Sequence, residues 1–262
     1  MRLRITLKSE SDNCQLPINY QYVVHSWIYS VLQKADAEFS QFLHDDGYRD
    51  RGKAFKFFHF SNLTGLPYQV KGDRIIFDTD YLHLTVGFLL PDAMQKFILG
   101  LFYKQRLVLG DKKSSATFKV EEVQLLARPH FQTTMNYRAQ TPLVISKKEV
   151  TDRYAQYLSP EDGRYEMCFI NHMLQKYKIA VPQLVDEVSA EVDDFIAMQW
   201  KLQSAPRKKG VTIKEGTPQE TQIIGYVYDF EFTAPPKIHQ MAYDAGFGEK
   251  NSLGFGFCEA RN

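Results

Sequence analysis

The stretch from Gly246 to Phe257, GFGEKNSLGFGF, carries four glycines in two closely spaced pairs. Glycine adopts positive φ angles without steric cost and lets the backbone approach a ligand closely, but it weakens regular secondary structure. The stretch therefore predicts either a sharp structural corner or a loop whose backbone amides face an anion. Lys250, near its middle, adds a positive charge.

Two nucleotide-binding glycine motifs do not fit this stretch. The dinucleotide fingerprint G-x-G-x-x-G needs a third glycine at the position of Asn251. A P-loop needs a glycine that is followed by lysine and then Ser or Thr, and no glycine of the stretch is. Both motifs also hold the phosphate at the N-terminus of a helix that follows directly. We therefore expect no nucleotide cofactor.

The composition indicates a soluble cytoplasmic protein. Lys and Arg number 32 and Asp and Glu 31, so the formal net charge is +1 and any polyanion must be bound by local clusters. Cys14, Cys168 and Cys258 are far apart and form no C-x-x-C motif, which argues against disulfides and structural zinc. The opening MRLRITLKSE alternates like a strand and lacks the apolar segment of a signal peptide. We expect no metal and no membrane partner.

The first half of the chain alternates strand and helix patterns. MRLRITLKSE predicts a strand, and LPINYQYVVHSWIYSVLQK (16–34) has helical spacing, with Asn19 as its candidate cap. A shorter helical pattern follows and breaks at Gly47. KAFKFFHFSNL (53–63) and RIIFDTD (74–80) predict two paired strands, PDAMQKFILGLFYKQ (91–105) a helix and ATFKVEEVQLL (116–126) a strand. This β-α-β-β-α-β order is the ferredoxin-like motif.

The second half repeats this order without a sequence repeat. TPLVIS (141–146) predicts a strand and EDGRYEMCFINHMLQKYK (161–178) a helix. DFIAMQWKLQS (194–204) and ETQIIGYVYDFEF (220–232) predict strands around the basic turn APRKKGVTIKEG (205–216). PPKIHQMAYDAG (235–246) predicts a short helix, and SLGFGFCEA (252–260) the last strand. We therefore predict an α+β protein of two tandem ferredoxin-like (RRM-like, βαββαβ) domains, residues 1–130 and 131–262.

In this topology the glycine-rich stretch is the loop between the last helix and the last strand. Its amides and Lys250 are placed to face a phosphate backbone. The candidate contacts in the loop are Gly248, Lys250, Gly254 and Gly256. The basic turn is a second candidate, with a solvated hairpin tip as the alternative, and contributes Arg207, Lys208 and Lys209.

Two ferredoxin-like halves that end in GFGEKNSLGFG resemble the CRISPR-associated endoribonucleases that cut repeat RNA into guide RNAs. These belong to the superfamily of repeat-associated RNA-binding proteins with a C-terminal glycine-rich loop. The resemblance covers the whole chain in element order, and after the loop it is most specific in LPINYQYVVHSWIYSVL. It implies metal-independent cleavage that leaves a 2′,3′-cyclic phosphate.

The resemblance also implies candidate catalytic residues. Members with a catalytic Tyr, His and Lys carry the tyrosine on the first helix, the histidine at the end of the next helix and the lysine shortly after it. By position these are Tyr29, His44 and Lys53. Lys56 lies close to Lys53, and His25 lies one turn before Tyr29 on the same helix face, so both stay open as alternatives.

These residue types suit attack of a 2′-OH on its own phosphate. Histidine titrates near neutral pH and can give or accept a proton. Tyrosine, with an unperturbed pKa of about 10, is a poor base and is assigned to positioning the nucleophile. Lysine stabilises the developing negative charge. Without the resemblance, core packing explains Tyr29, the helix dipole explains His44 and solvation explains Lys53.

A second hypothesis is a non-catalytic subunit that holds guide RNA in a CRISPR effector complex, because it would keep the same fold and loop. An unrelated tandem RNA-recognition module fits less well, because KAFKFFHF lacks the glycine pattern of its RNA-binding strand. The partners implied by the resemblance are CRISPR repeat RNA, as precursor and processed guide, and effector-complex subunits. Whether the chain forms a homodimer stays open. The remaining histidines show no metal-ligand spacing and are expected to be structural or at the surface.

Overall fold

The computed structural model describes residues 1–50, 52–148, 154–184 and 198–261. The first half forms ten strands and three helices: β1 (Arg2–Ser9), β2 (Cys14–Pro17), α1 (Gln21–Ala35), α2 (Ala37–Asp45), β3 (Tyr48–Asp50), β4 (Lys53–Phe55), β5 (Phe58–Phe60), β6 (Tyr68–Lys71), β7 (Arg74–Phe77), β8 (Tyr81–Phe88), α3 (Pro91–Tyr103), β9 (Arg106–Gly110) and β10 (Ser115–Leu126). The second half forms β11 (Thr134–Ala139), β12 (Ser146–Lys147), β13 (Gln156–Tyr157), α4 (Tyr165–Ala180), β14 (Gln199–Leu202), β15 (Arg207–Ile213), β16 (Thr221–Val227), β17 (Asp229–Thr233), α5 (Pro236–Ala245) and β18 (Cys258–Arg261).

Each half is built on one antiparallel sheet. The first sheet has the order β5-β8-β1-β10-β9 and the second β14-β17-β11-β18. Apart from β9, both sheets have the strand order 2-3-1-4. In the first half α1 and α2 precede the second strand and α3 the fourth, and in the second half α4 and α5 take these places. This is the ferredoxin-like order, so the predicted fold class is confirmed. The strands of the two sheets lie on either side of residues 127–133, and the division into domains 1–130 and 131–262 is our proposal.

The core of the first half follows the sequence pattern. In β1, Leu3, Ile5 and Leu7 alternate onto one face and are at most 2% exposed. Trp27 of α1 packs edge to face on Phe97 of α3, with ring centroids 5.9 Å apart. The predicted cap of α1 is wrong. The cap position is Tyr20, and the Asn19 side chain instead donates to Glu215 at 3.4 Å.

Two strand predictions in the first half are wrong. KAFKFFHFSNL is not one strand, because Phe57 has a φ of 54° and separates β4, which pairs with β3, from β5. RIIFDTD is not the partner of that strand. It forms β7 between β2 and β6 in a separate three-stranded sheet, and β5 pairs with β8, which the sequence analysis missed.

The strands of the second half are also shifted. The first strand is β11, not TPLVIS, whose apolar Leu143, Val144 and Ile145 are fully buried outside the main sheet. The basic segment is not a turn, because β15 pairs with β16 along its whole length and the turn lies at 214–220. The first four residues of DFIAMQWKLQS lie outside the described residues, and the rest of the segment contains β14.

Buried polar contacts join the two halves beside the glycine-rich loop. The Arg2 guanidinium, on β1, donates to the carbonyl oxygens of Tyr243 at 2.9 Å and Cys258 at 2.8 Å. It also stacks on the rings of Tyr243 and Phe257, at 3.6 and 4.2 Å from their centroids. Arg128 pairs with the fully buried carboxylate of Asp244 at 2.6 Å. These contacts hold both ends of the loop against the first sheet.

Candidate functional site: a histidine pair beside a lysine-lined groove

The glycine-rich loop lies between α5 and β18, as the sequence predicts. Its glycines are buried and have positive φ angles. At Gly254, with a φ of 86°, an added Cβ would lie 2.6 Å from the Phe60 ring. At Gly256, with a φ of 70°, it would lie 1.9 Å from the carbonyl oxygen of Phe247. Glycine is therefore required here by close contact with the protein itself. RNA contact by Gly248, Gly254 and Gly256 stays a prediction.

The loop reaches the first helix through His25. The Nδ1 atom of His25 lies 2.7 Å from the carbonyl oxygen of Ser252. A carbonyl oxygen can only accept, so Nδ1 carries the hydrogen and Nε2 carries the lone pair. Burial is the main cause that lowers the pKa of His25 to about 4, so its ring is neutral at neutral pH. The site thus contains a neutral imidazole of fixed tautomer.

Tyr29 lies between two histidines. Its ring centroid is 4.8 Å from that of His25 and 5.2 Å from that of His44, both in edge-to-face contact. The Tyr29 hydroxyl donates to the carbonyl oxygen of Leu43 at 3.3 Å. Burial raises the pKa of Tyr29, so the phenol keeps its proton. The geometry brings Tyr29 and His44 together as predicted, and adds His25 to them.

His44 is exposed at the end of α2 and contacts the neighbouring carboxylate. Its Nδ1 atom lies 2.8 Å from Asp45 Oδ1, and this hydrogen bond is the main cause that lowers the pKa of Asp45. Among the described residues, His44 Nε2 has no hydrogen-bond partner.

The structure separates the two candidate lysines. Lys56 donates from Nζ to the carbonyl oxygen of His44 at 2.7 Å, and burial is the main cause that lowers its pKa. Lys53 is exposed and lies on the side of His172 and Lys250. Of the two, Lys56 is therefore in direct contact with the histidine cluster, which consists of His25, Tyr29 and His44.

A groove of about 770 Å³ runs between β4, the glycine-rich loop and α4. Its wall at Lys56 and Ser252 adjoins the histidine cluster. Glu249 is the one acid among the described lining residues, and its carboxylate accepts from the amide and hydroxyl of Ser146 at 3.0 and 2.9 Å. The lysines that line the groove are Lys53, Lys56, Lys147, Lys148, Lys176 and Lys250. The groove therefore carries a strong positive charge in a protein of almost zero net charge.

The second predicted basic cluster lies elsewhere. Arg207, Lys208 and Lys209 are exposed on β15, and the described residues that line the groove do not include them. The tip of this β-hairpin comes near the site, because Lys214 contributes to the lowered pKa of His25. RNA binding by the three residues stays a prediction.

Two buried side chains of α4 support the loop from inside, and neither contact was predicted. His172, expected to be merely structural or at the surface, donates from Nε2 to the carbonyl oxygen of Gly248 at 2.8 Å. Lys176 is 1% exposed and also donates to the loop. The spacing of four residues between them places both on one face of α4, which was the available signal.

Within residues 1–50, 52–148, 154–184 and 198–261, no group of three or more His, Cys, Asp or Glu side chains is arranged to hold a metal ion. None of the helices in the same residues is long and apolar enough to cross a membrane.

The chain has two tandem ferredoxin-like halves, a glycine-rich loop before the last strand and a lysine-lined groove. It therefore falls into the class of repeat-associated RNA-binding proteins. Residues 126–260 match the family model described as CRISPR associated protein Cas6, C-terminal, and residues 15–124 match CRISPR-associated protein Cas6, N-terminal. The chain belongs to the Cas6 family.

Characterised relatives are distant but span the chain. CRISPR-associated endoribonuclease Cas6 1 of Methanocaldococcus jannaschii is 22% identical over 263 residues, covering 97% of this chain and 91% of that protein. CRISPR-associated endoribonuclease Cas6 of Pyrococcus furiosus is 22% identical over 269 residues, covering 99% and 89%.

Solved structures share the fold. A Cas6-related protein of Pyrococcus furiosus superposes with a TM-score of 0.80 at 20% identity, covering 100% of this chain and 98% of that one. A protein described as an RAMP protein binding different RNA substrates gives 0.78 at 18% identity, covering 100% of both chains.

Proposed function

We propose that this chain is a metal-independent endoribonuclease that cleaves CRISPR repeat RNA into guide RNAs. The observation that carries the proposal is the pair of imidazoles, His25 and His44, on either side of Tyr29 at the end of the lysine-lined groove. Membership of the Cas6 family and the activity printed in the names of its two relatives support the same substrate.

The groove binds the RNA backbone. Lysines on β4, on the loop and near β12 face one channel, and phosphates bound there would release counterions. Such a channel follows a single strand by its charge and leaves the bases accessible. An RNA strand bound in the groove passes Lys56 and Ser252 to reach the histidine cluster.

His25 is the proton acceptor in this proposal. Its Nε2 is unprotonated, because Nδ1 donates to Ser252, and the ring is neutral at the pH of the cell. Nε2 accepts the 2′-OH proton while the 2′-oxygen attacks the adjacent phosphorus. A pKa of about 4 makes the free ring a weak base. A bound phosphate raises this pKa, since a nearby anion favours the imidazolium.

His44 is the proton donor. Its Nδ1 hydrogen bonds to Asp45, so Nε2 is the nitrogen that gives its hydrogen to the departing 5′-oxygen. The bond from phosphorus to the 5′-oxygen breaks as that proton arrives. The products are a 2′,3′-cyclic phosphate on one fragment and a 5′-OH on the other.

Lys56 is better placed than Lys53 to stabilise the charge of the phosphorane, because it already contacts the backbone of His44. Lys53 is assigned to the groove and to the phosphates that lead to the site. Tyr29 packs against both imidazoles and stays protonated, so it orients them rather than transferring a proton.

The test is incubation with labelled repeat RNA in excess EDTA, beside the same RNA with one 2′-deoxy nucleotide just upstream of the cut. We expect cleavage in EDTA, a cyclic-phosphate end, and binding without cleavage of the deoxy substrate. Restoration of a lost activity by Mg²⁺, or cutting of the deoxy substrate, would contradict the mechanism. Tight binding with no cutting of any substrate would instead identify a guide-holding subunit.

A further inference from the structure

The buried side chain of Lys176 is the centre of the contacts beneath the glycine-rich loop. Its Nζ lies 2.7 Å from the carbonyl oxygen of Gly246, 2.8 Å from that of Gly248 and 2.7 Å from Asn251 Oδ1. An ammonium has three hydrogens to donate, and three oxygens accept them. Loss of this ammonium would remove a donor from the Gly246 carbonyl and from Asn251 Oδ1, whereas the Gly248 carbonyl would still accept from His172.

The position is an unfavourable one for a charge. Burial is the main cause that lowers the pKa of Lys176 to about 7, whereas Glu249 of the loop and Cys258 of β18 raise it. His172, on the same helix, and His59, on β5, are the histidines whose pKa Lys176 helps to lower. A fully buried lysine is rare unless it is paired. Packing alone therefore does not explain why a lysine occupies this buried position.

The contact continues from Lys176 to the histidine cluster through one side chain. Asn251 accepts from Lys176 and donates from Nδ2 to the carbonyl oxygens of Phe247 at 2.8 Å and Phe255 at 3.0 Å. Asn251 thereby links the beginning of the glycine-rich loop to its end. The next residue is Ser252, whose carbonyl oxygen accepts from His25.

We propose that Lys176 is a positioning residue: it holds Asn251, and through it the Ser252 carbonyl, so that His25 keeps its hydrogen on Nδ1. Lys176 itself does not touch the reacting groups. The effect on cleavage rests on the proposed function, whereas the effect on the His25 tautomer does not.

The test compares Lys176→Met with Lys178→Met, an exposed lysine on the same helix. The ring nitrogens of ¹⁵N-labelled histidines are observed by NMR without RNA. We expect the Nδ1–H signal of His25 to give way to the Nε2–H form in Lys176→Met and to persist in Lys178→Met. His239, held by Tyr137 and Thr133 on the second sheet, reports that the fold is intact. If Lys176→Met does not fold, Lys176→Gln, which keeps a donor in the cavity, replaces it.

The cleavage assay separates this proposal from the proposed function. Misplacement of a catalytic group lowers the rate by on the order of 10²-fold, and we expect that loss in Lys176→Met at saturating RNA. If the wild-type protein cuts no RNA but Lys176→Met changes the tautomer of His25, the positioning role would be supported and the proposed function refuted. A folded Lys176 variant that keeps the Nδ1–H signal of His25 would overturn the inference.

Discussion

The Nδ1 atom of His25 on the first helix lies 2.7 Å from the carbonyl oxygen of Ser252, 227 residues later in the chain. One hydrogen bond thus joins the first ferredoxin-like half to the glycine-rich loop of the second. It also fixes which nitrogen of the His25 ring carries the hydrogen. The candidate site is therefore shared between the halves, and its geometry depends on how they pack.

Replacement of either histidine should reduce cleavage strongly. His25→Ala removes the proposed proton acceptor and His44→Ala the proposed donor, so each should lower the single-turnover rate by about 10²–10⁴, the range for one acid–base group. Repeat-RNA affinity should change little, because the groove lysines remain. The rates are measured at saturating protein on labelled repeat RNA.

Tyr29→Phe is the matched control for this prediction. It keeps the ring that packs on both imidazoles and loses only the hydroxyl that donates to Leu43 at 3.3 Å. We expect a smaller loss than for either histidine. Normal cutting by His44→Ala together with an inactive His25→Ala would leave His25 as the sole catalytic histidine.

The pH profile should reflect the lowered pKa of His25. A base must be unprotonated, and burial keeps His25 so down to about pH 4. We therefore expect kcat/KM, which reports the free protein, to stay level as the pH falls from 7 to 5. A base with the ordinary histidine pKa of about 6.5 would instead lose activity about tenfold per pH unit below that value. Such a decline would argue against His25.

Acid should destabilise the fold through its buried histidines. Burial is the main cause that holds the pKa values of His59 and His172 well below the ordinary value. Between the folded and the unfolded pKa the unfolded chain binds more protons, so the free energy of unfolding falls as the pH falls below about 6.5. Urea unfolding at pH 7, 6 and 5 measures this. His172→Gln, which keeps a donor near Gly248 but does not titrate, should show the weaker dependence, and equal slopes would contradict it.

The sequence predicted the helices and the order of elements better than the strand pairing. Helical spacing is local, so α1, α3, α4 and α5 appear where their patterns lie. Strand pairing is not local. β7 has the apolar run of a main-sheet strand but pairs with β2 and β6 in a separate sheet. One left-handed residue, Phe57, divides the segment 53–63 that its sequence predicts as a single strand.

The sequence predicted part of the candidate site but not the contacts that support it. Tyr29 and His44 followed from position along the chain, and the structure brings their rings together. The supporting role of Lys176 could not be read in advance, because its three acceptors lie at least 70 residues away and two of them are backbone oxygens that any sequence has. The approach of Ser252 to His25 is equally invisible until the halves are packed.

The contacts of Gly254 should make it intolerant of any side chain. In Gly254→Ala the Cβ would meet the Phe60 ring at 2.6 Å, on a backbone with a φ of 86°. Gly72→Ala is the control, because its φ of 59° is strained too but nothing lies within 4 Å of the added Cβ. A left-handed non-glycine residue costs on the order of 1–3 kcal/mol, and Gly254→Ala should lose more than Gly72→Ala because of the added overlap. Equal urea midpoints and slopes for the two variants would show that the loop moves aside.

Lys250 tests whether the loop contacts RNA in addition to shaping the fold. Its side chain is exposed at the edge of the groove, so Lys250→Ala should leave the melting temperature nearly unchanged. If Lys250 neutralises one phosphate, its loss should weaken binding and reduce the slope of log affinity against log salt by about 0.7, the value for one contact with a single strand. Lys208→Ala, on the β15 hairpin outside the groove, is measured in parallel. A reduced slope in Lys250→Ala alone would assign the RNA path to the groove. A reduced slope in Lys208→Ala alone would move the path to the hairpin and leave the glycine-rich loop with an architectural role.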